Sequence, residues 1–371
     1  MEALRFFVFI LATSGLLYAV AAQNCVRKER LCIIRRWTAY PRIEQLRGGD
    51  NAFIYLFFFA IIIFRCVIDP HSIPDTWYYA DNFKDVGNIP WSTLVIDGGA
   101  DYGIEDEKGF LLLTKVISGI TSNQYIYICI LGSVITFGYF ILIRGYSQIV
   151  WLSCILFLLC SFNQSLFVIR QYLAMTVLFV SLKFILRRDL LRFVVCVLVA
   201  FFFHRTAIIF LPVFFLYGIE NKRRLLFYSL IAVAVVRFFI VTVIGHVLSL
   251  YADLAGYASD EEGANIKMTL FITSLLLTRL LLLRDCYWDR GVNRLFTIIL
   301  LCGAAVSILS FGFGFDRIVI YFSTFLCVIV PQTLVNIKNK VIKYIYAIAF
   351  FAVQIYLWSG SLNHLSTLKF L

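Results

Sequence analysis

The sequence predicts an all-α, polytopic integral membrane protein with about 12 membrane segments and no separate soluble domain. Three observations carry that expectation. Of 371 residues, 61% are apolar and only 15% charged. Mean hydropathy is +0.87. The apolar residues fall in runs near the roughly 20-residue length that crosses about 30 Å of hydrocarbon, with short charged stretches between them. The formal charge of +11 does not indicate nucleic acid, because Lys and Arg sit mostly at the ends of apolar runs rather than on one wet face.

The runs read as spanning are 4 to 22, 51 to 68, 123 to 143, 147 to 162, 166 to 186, 190 to 203, 206 to 218, 225 to 251, 268 to 283, 295 to 311, 318 to 337 and 344 to 359. Short loops rich in Lys and Arg stay cytoplasmic. One set of alternate connections (23 to 50, 144, 187 to 192, 220 to 224, 284 to 294, 338 to 343) holds 20 basic residues against 7 acidic ones. The other set (69 to 108, 204 to 205, 253 to 267, 312 to 317 and the tail from 360) holds 6 basic against 14 acidic. The first is expected inside and the second outside, with both termini outside. This parity requires a turn near His204 and Arg205, so residues 190 to 218 are expected as a short-helix hairpin. The first run ends in Ala19-Val20-Ala21-Ala22, a small-residue pattern like a cleavage site. The basic residues from Arg27 to Arg47 favour an uncleaved helix retained on the cytoplasmic side.

Residues 69 to 122 form the longest external segment. Its stretch from 69 to 108 carries nine carboxylates, among them Asp75 and Glu107, against Lys84 and Lys108. Residues 109 to 120 have the mix of an interfacial amphipathic helix. The ten cysteines, including Cys66 and Cys129, show no CxxC and read as small buried hydrophobes. The four histidines, His71, His204, His246 and His364, form no local metal motif, and no metal or other cofactor is expected.

Ionisable residues at membrane depth are costly and mark function by default. Lys183 and Arg279, near cytoplasmic ends, are expected to snorkel. Arg237, mid-run, needs a cavity, a carboxylate or backbone carbonyls. The external ends are richer. Arg65 closes one span, Arg170 with Gln171 opens another, His204 with Arg205 forms a tip, and Asp316 with Arg317 opens a late span followed by Tyr321. Arg binds phosphate bidentately and stays charged, so this set suits a lipid diphosphate headgroup. A neutral His204 suits proton acceptance from a sugar hydroxyl, or a structural hydrogen bond. Asp75-Thr-Trp-Tyr-Tyr79 pairs a carboxylate with phenols, which suits a sugar or an ordinary interfacial aromatic belt.

In order along the chain, Arg65, Asp75-Thr-Trp-Tyr-Tyr79, Glu107-Lys-Gly-Phe110, Arg170-Gln-Tyr-Leu-Ala174, Phe203-His-Arg-Thr-Ala207 and Arg317 through Tyr321-Phe322 to Pro331 resemble the EpsG-like group of Wzy-type polysaccharide (O-antigen) polymerases. Thr206 stands where that pattern usually has serine. The resemblance implies metal-independent glycosyl block transfer at the periplasmic face of a bacterial inner membrane, between undecaprenyl-diphosphate-linked oligosaccharides, building an O-antigen, capsule or exopolysaccharide. It implies catalytic roles for His204, Arg170, Arg317 and Asp75. Substrate-binding roles fall to Arg65, Tyr79, Glu107, Gln171, Arg205, Asp316 and Tyr321. A chain-length regulator and a flippase of the same pathway are the protein partners it suggests. Two other readings stay open at this point: a membrane glycosyltransferase using a lipid-phosphate sugar donor, and a lipid-linked-oligosaccharide flippase.

Overall fold

The computed structural model describes residues 48–96, 107–239, 262–282, 291–310, 316–337, 339–352 and 368–370. The first apolar run, the basic stretch after it, the carboxylates from Asp97 to Asp106, and His246 and His364 lie outside the described residues. The protein is all-helical, as expected. Among the described residues no strand forms, and extended backbone pairs at one isolated antiparallel bridge between Ile68 and Phe370.

The helices are α1 (Gly48–Cys66), α2 (Thr76–Asn88), α3 (Trp91–Ile96), α4 (Lys108–Ser118), α5 (Gln124–Tyr146), α6 (Val150–Phe157), α7 (Gln164–Phe167), α8 (Ile169–Leu186), α9 (Leu190–Phe203), α10 (Leu211–Tyr217), α11 (Lys222–Phe239), α12 (Glu262–Leu282), α13 (Gly291–Ser310), α14 (Asp316–Ser323) and α15 (Leu326–Asn336). A further helix covers 340–352. Three stretches are long and apolar enough to cross a membrane: Gln124–Tyr146, Ile169–Leu186 and Gly291–Leu309. Arg317–Ser323 and Leu326–Asn336, bent by 41°, add a fourth when counted as one span. The expected count of 12 therefore stands at three or four among the described residues. Hydropathy measures apolar length and is blind to breaks. Here the helices Ala52–Cys66 and Val150–Phe162 fall short of the spanning length, as do Leu190–Phe203 and Arg205–Tyr217 on either side of the expected break at His204.

The chain divides into two compact units. The first comprises residues up to Leu182, Val195–Ile208 and the stretch from Ala347 onward; the second comprises Lys183–Val194 and Ile209–Tyr346.

In the first unit, α2, α4 and α5 pack around a small polar and aromatic core. Phe83 of α2 stacks on Tyr127 of α5 with ring centroids 4.3 Å apart. The Tyr127 hydroxyl meets Thr114 Oγ1 of α4 at 2.9 Å. Asn123 caps α5 by accepting from the Tyr125 amide at 2.8 Å. After α6 the chain makes one π-turn at Leu158–Phe162, then the short α7, and unwinds again at Val168 before α8 begins. π-Turns and helix breaks release carbonyls from the helical ladder. The neighbouring elements use them: Thr76 Oγ1, at the start of α2, donates to the Leu166 carbonyl at 2.6 Å, and Arg65, at the end of α1, donates to the Ser165 carbonyl at 3.3 Å. Irregular backbone in such apolar surroundings persists because protein covers and satisfies it.

Cys66 and Cys129 form a disulfide between α1 and α5, with Cα atoms 4.8 Å apart. The reading of these two as isolated buried hydrophobes is thereby corrected: 63 residues separate them, and only packing of α1 on α5 brings them together. Lys369 and Phe370 lie at the same end of α1, where the Asp69 amide donates to the Lys369 carbonyl at 2.9 Å and Phe370 faces Phe64 with centroids 5.8 Å apart. Charge parity had put residues 69 to 108 and the C-terminal tail on one side, and their contact agrees with that.

In the second unit α12, α13 and α14 form the core. Arg279 does not snorkel. It is 1% exposed, and its guanidinium donates to Thr297 Oγ1 at 2.8 Å, Thr333 Oγ1 at 2.7 Å, the Asn293 carbonyl at 3.1 Å and Gln332 Oε1. Lys183, by contrast, is exposed. Arg237 takes the backbone-carbonyl alternative, donating to Leu309 O at 3.2 Å.

Candidate functional site

The first unit gathers four of the sequence-predicted site residues into one hydrogen-bonded cluster around a carboxylate. Glu107 sits immediately before α4. Its Oε2 lies 2.5 Å from an Arg170 terminal nitrogen, and its Oε1 lies 2.7 Å from Nδ1 of His204. Arg170 Nε donates to the Tyr79 hydroxyl at 2.9 Å, and the guanidinium lies 5.6 Å from that ring's centroid. Tyr79 packs edge-on against Phe110 at 5.1 Å, returning the chain of contacts to α4. Side-chain exposures of 11% for Glu107, 22% for His204 and 28% for Arg170 leave the cluster largely buried but partly open to its surroundings.

Each residue is held there for a local reason. Arg170 is the second residue of α8, placed by the break at Val168. His204 directly follows the last residue of α9, and its amide still donates to Ala200 O at 2.9 Å before a 3₁₀ turn begins at Arg205. The break expected at His204 and Arg205 is where the helix stops. Glu107 reaches His204 because Gly109 allows it. A Cβ at Gly109 would come within 2.6 Å of the Phe202 carbonyl oxygen and 2.8 Å of Phe202 Cβ, so the start of α4 lies directly on the last turn of α9.

The electrostatics follow from the contacts. Burial alone would raise the Glu107 carboxyl, but the hydrogen bond from His204 and the positive charge of Arg170 outweigh it and hold it at about 2. Glu107 is thus a carboxylate at any physiological pH and unsuited to shuttling a proton. Ionised, it accepts from His204 Nδ1–H and fixes the tautomer in which Nε2 carries the free lone pair. Among the described residues no hydrogen bond occupies Nε2. This is the arrangement in which a carboxylate orients a histidine for proton acceptance.

The other predicted residues are distributed around or away from this cluster. Arg65 is buried, at 6% exposure, with its guanidinium bonded to the Ser165 hydroxyl and carbonyl and 4.9 Å from the Phe162 ring centroid. Gln171 is fully buried beside Arg170. Asp75 is exposed and adopts φ 61°, ψ −27°, in the left-handed region, just before α2. Arg205 is exposed. Asp316, Arg317 and Tyr321 belong to α14 of the second unit, where Arg317 is exposed and Tyr321 fully buried. Sequence reasoning missed Ser165, Thr76 and the packing role of Gly109. Gly109 and Thr76 left a signal, by standing in the Glu107-Lys-Gly-Phe110 and Asp75-Thr-Trp-Tyr-Tyr79 segments; Ser165 left none.

A family model for the EpsG family matches residues 52–370, most of the chain. The protein belongs to the EpsG family. That membership assigns a membrane-embedded, polysaccharide-polymerase or glycosyltransferase-like role acting on lipid-linked polysaccharide substrates. No curated protein and no solved structure matches the chain. All four residues of this EpsG-family cluster lie within the matched region.

Proposed function

We propose that this EpsG-family protein polymerises undecaprenyl-diphosphate-linked oligosaccharide repeat units into a surface polysaccharide, by glycosyl block transfer at the periplasmic face of the inner membrane. The observation that carries the reading is the Glu107–His204 pair, a histidine oriented through Nδ1 with Nε2 left to accept a proton. An acceptor hydroxyl on the incoming repeat attacks the anomeric carbon of the growing glycan. The new glycosidic C–O bond forms as the C–O bond to the diphosphate breaks, the hydroxyl proton passes to His204 Nε2, and the diphosphate leaves with the electron pair. The leaving group is already good, so the protein's task is to orient the base and to stabilise charge as it develops.

The charge balance of the cluster refines the roles. Arg170 is neutralised by Glu107 and bonded to Tyr79, so in this reading it organises the site and meets substrate through the exposed part of its guanidinium. Arg205, exposed and adjacent to His204, receives the developing diphosphate charge. Arg65, spent on Ser165, positions the end of α1. Gln171, buried beside Arg170, supports the start of α8.

The test is a gel of surface polysaccharide. Deleting the gene should leave lipid A core bearing a single repeat. His204→Ala or Arg170→Ala should leave inserted protein and the same single-repeat product. Normal polymer from both variants sinks the assignment, and complete loss of repeats on deletion points instead to a flippase or an assembly glycosyltransferase. A second reading draws on Asp75. An exposed aspartate in the left-handed region is costly backbone of the kind found at functional sites, and it would serve as the base of a glycosyltransferase using a lipid-phosphate sugar donor. In that case Asp75→Asn abolishes activity while His204→Ala spares it.

A further inference from the structure

At one end of the second unit, three connections from the Lys- and Arg-rich set meet. Arg188, between α8 and α9, donates to the Phe214 carbonyl of α10 at 2.7 Å and lies 4.5 Å from the Phe214 ring and 5.9 Å from the Tyr217 ring. Arg294, in the first turn of α13, lies 4.6 Å from the same Tyr217 ring. Lys222, at the start of α11, donates to the Leu280 carbonyl of α12 at 3.1 Å. Two guanidinium groups thus converge on one tyrosine, each within about 6 Å of its centroid, the range of a cation–π contact.

Among the described residues no carboxylate pairs with Arg188 or Arg294. Asp189, next to Arg188, is engaged with Arg192 at 3.4 Å and caps the start of α9. Among the described residues, Arg294 Nε is buried without a hydrogen-bond partner. Arg188 also holds φ 57°, a helix-terminating conformation that glycine takes more cheaply. The planar fork of Arg matches phosphate oxygens.

We propose that Arg188 and Arg294, gathered on Tyr217, form a binding site for a phosphate group, as presented by the headgroup of an anionic phospholipid. A basic pocket between helices on the side carrying the Lys- and Arg-rich loops is where such headgroups dock. The site lies wholly within the second unit and is separate from the Glu107–His204 cluster.

The full chain, reconstituted in phosphatidylcholine nanodiscs containing phosphatidylglycerol, tests this by native mass spectrometry of the lipids retained on release. Wild type should keep phosphatidylglycerol over phosphatidylcholine by about thirtyfold, the preference expected of two basic residues near an anionic headgroup. The double variant Arg188→Gln/Arg294→Gln should fall to the phosphatidylcholine level, and Arg294→Lys, which keeps the charge and loses the fork, should fall only partway. Equal retention of both lipids by wild type, or undiminished phosphatidylglycerol on the double variant, overturns the proposal. Displacement of phosphatidylglycerol from wild type by millimolar inorganic phosphate would assign the site to a soluble anion and overturn the lipid reading. That last measurement needs no variant to fold.

Discussion

Gly109→Ala tests whether the contact of α4 with α9 sets the catalytic geometry. The added methyl would sit 2.6 Å from the Phe202 carbonyl oxygen and 2.7 Å from its carbon, where ordinary contact begins near 3.4 Å. The obstacle is backbone, so no side chain can swing clear, and the two elements must part by about 0.8 Å, the difference between those values. Glu107 lies two residues before Gly109 and His204 two residues after Phe202, so the same displacement takes their 2.7 Å hydrogen bond to about 3.5 Å, the limit for a hydrogen bond. Misplacement on this scale costs on the order of a hundredfold in rate, and overpacking costs about 1–3 kcal/mol in stability. Gly145→Ala is the control: nothing lies within 4 Å of its added Cβ, and alanine favours the helix by up to about 1 kcal/mol. The assay is polymer formed from purified lipid-linked repeats, normalised to inserted protein. Chain growth by Gly109→Ala equal to that of Gly145→Ala at matched protein levels would refute the reasoning.

Three further outcomes are expected. His71 hydrogen bonds to Asp81 at 2.9 Å and Asp69 at 3.2 Å, which raises its ionisation above the ordinary 6.5. Its contribution is therefore complete below pH 6.5 and lost as pH climbs through the raised value. Solvent screening keeps it below about 1 kcal/mol, and His71→Asn should flatten that part of a Tm-against-pH profile. For Arg279, lysine offers one ammonium where four acceptors now share a guanidinium, so Arg279→Lys should lower stability by about 1–3 kcal/mol in a detergent melt. For the disulfide, PEG-maleimide should label two more thiols after reduction than before. Cys66→Ser should abolish that increment and cost at most about 4 kcal/mol, the chain-entropy value for a 63-residue separation.

Much of the architecture was legible because its causes are local. The all-helical class follows from composition. The stop at His204 was required by charge parity, and α4 at Lys108–Ser118 overlaps the amphipathic stretch at 109 to 120. The residue types at the site were legible too: Arg170 and His204 stood out as costly polar groups at the ends of apolar runs, Tyr79 as a phenol near Asp75, and Glu107 through the segment that carries the family resemblance. Their connections were not. Glu107 and His204 are 97 residues apart and Arg65 and Ser165 are 100 apart, and only interhelical packing decides such pairs. The same blindness explains Cys66 with Cys129, and Arg279, where hydropathy saw a residue near a helix end and packing enclosed it.

Glu107 carries the last step of the argument. Its depression from 4.5 to about 2 amounts to roughly 3 kcal/mol favouring the ionised form. By linkage this contribution to stability is fully present above pH 4.5 and lost only as pH falls through about 2. Across neutral pH its charge is constant, so a pH dependence of chain growth there belongs to another group. Glu107→Gln separates the two functions of the carboxylate. The amide still fills the space and accepts one hydrogen bond, but it no longer balances Arg170 or stabilises a protonated imidazole as the base takes up its proton. Activity of Glu107→Gln should drop by about two orders of magnitude or more. Wild-type chain growth by Glu107→Gln at matched protein levels would mean that the carboxylate does not orient the base.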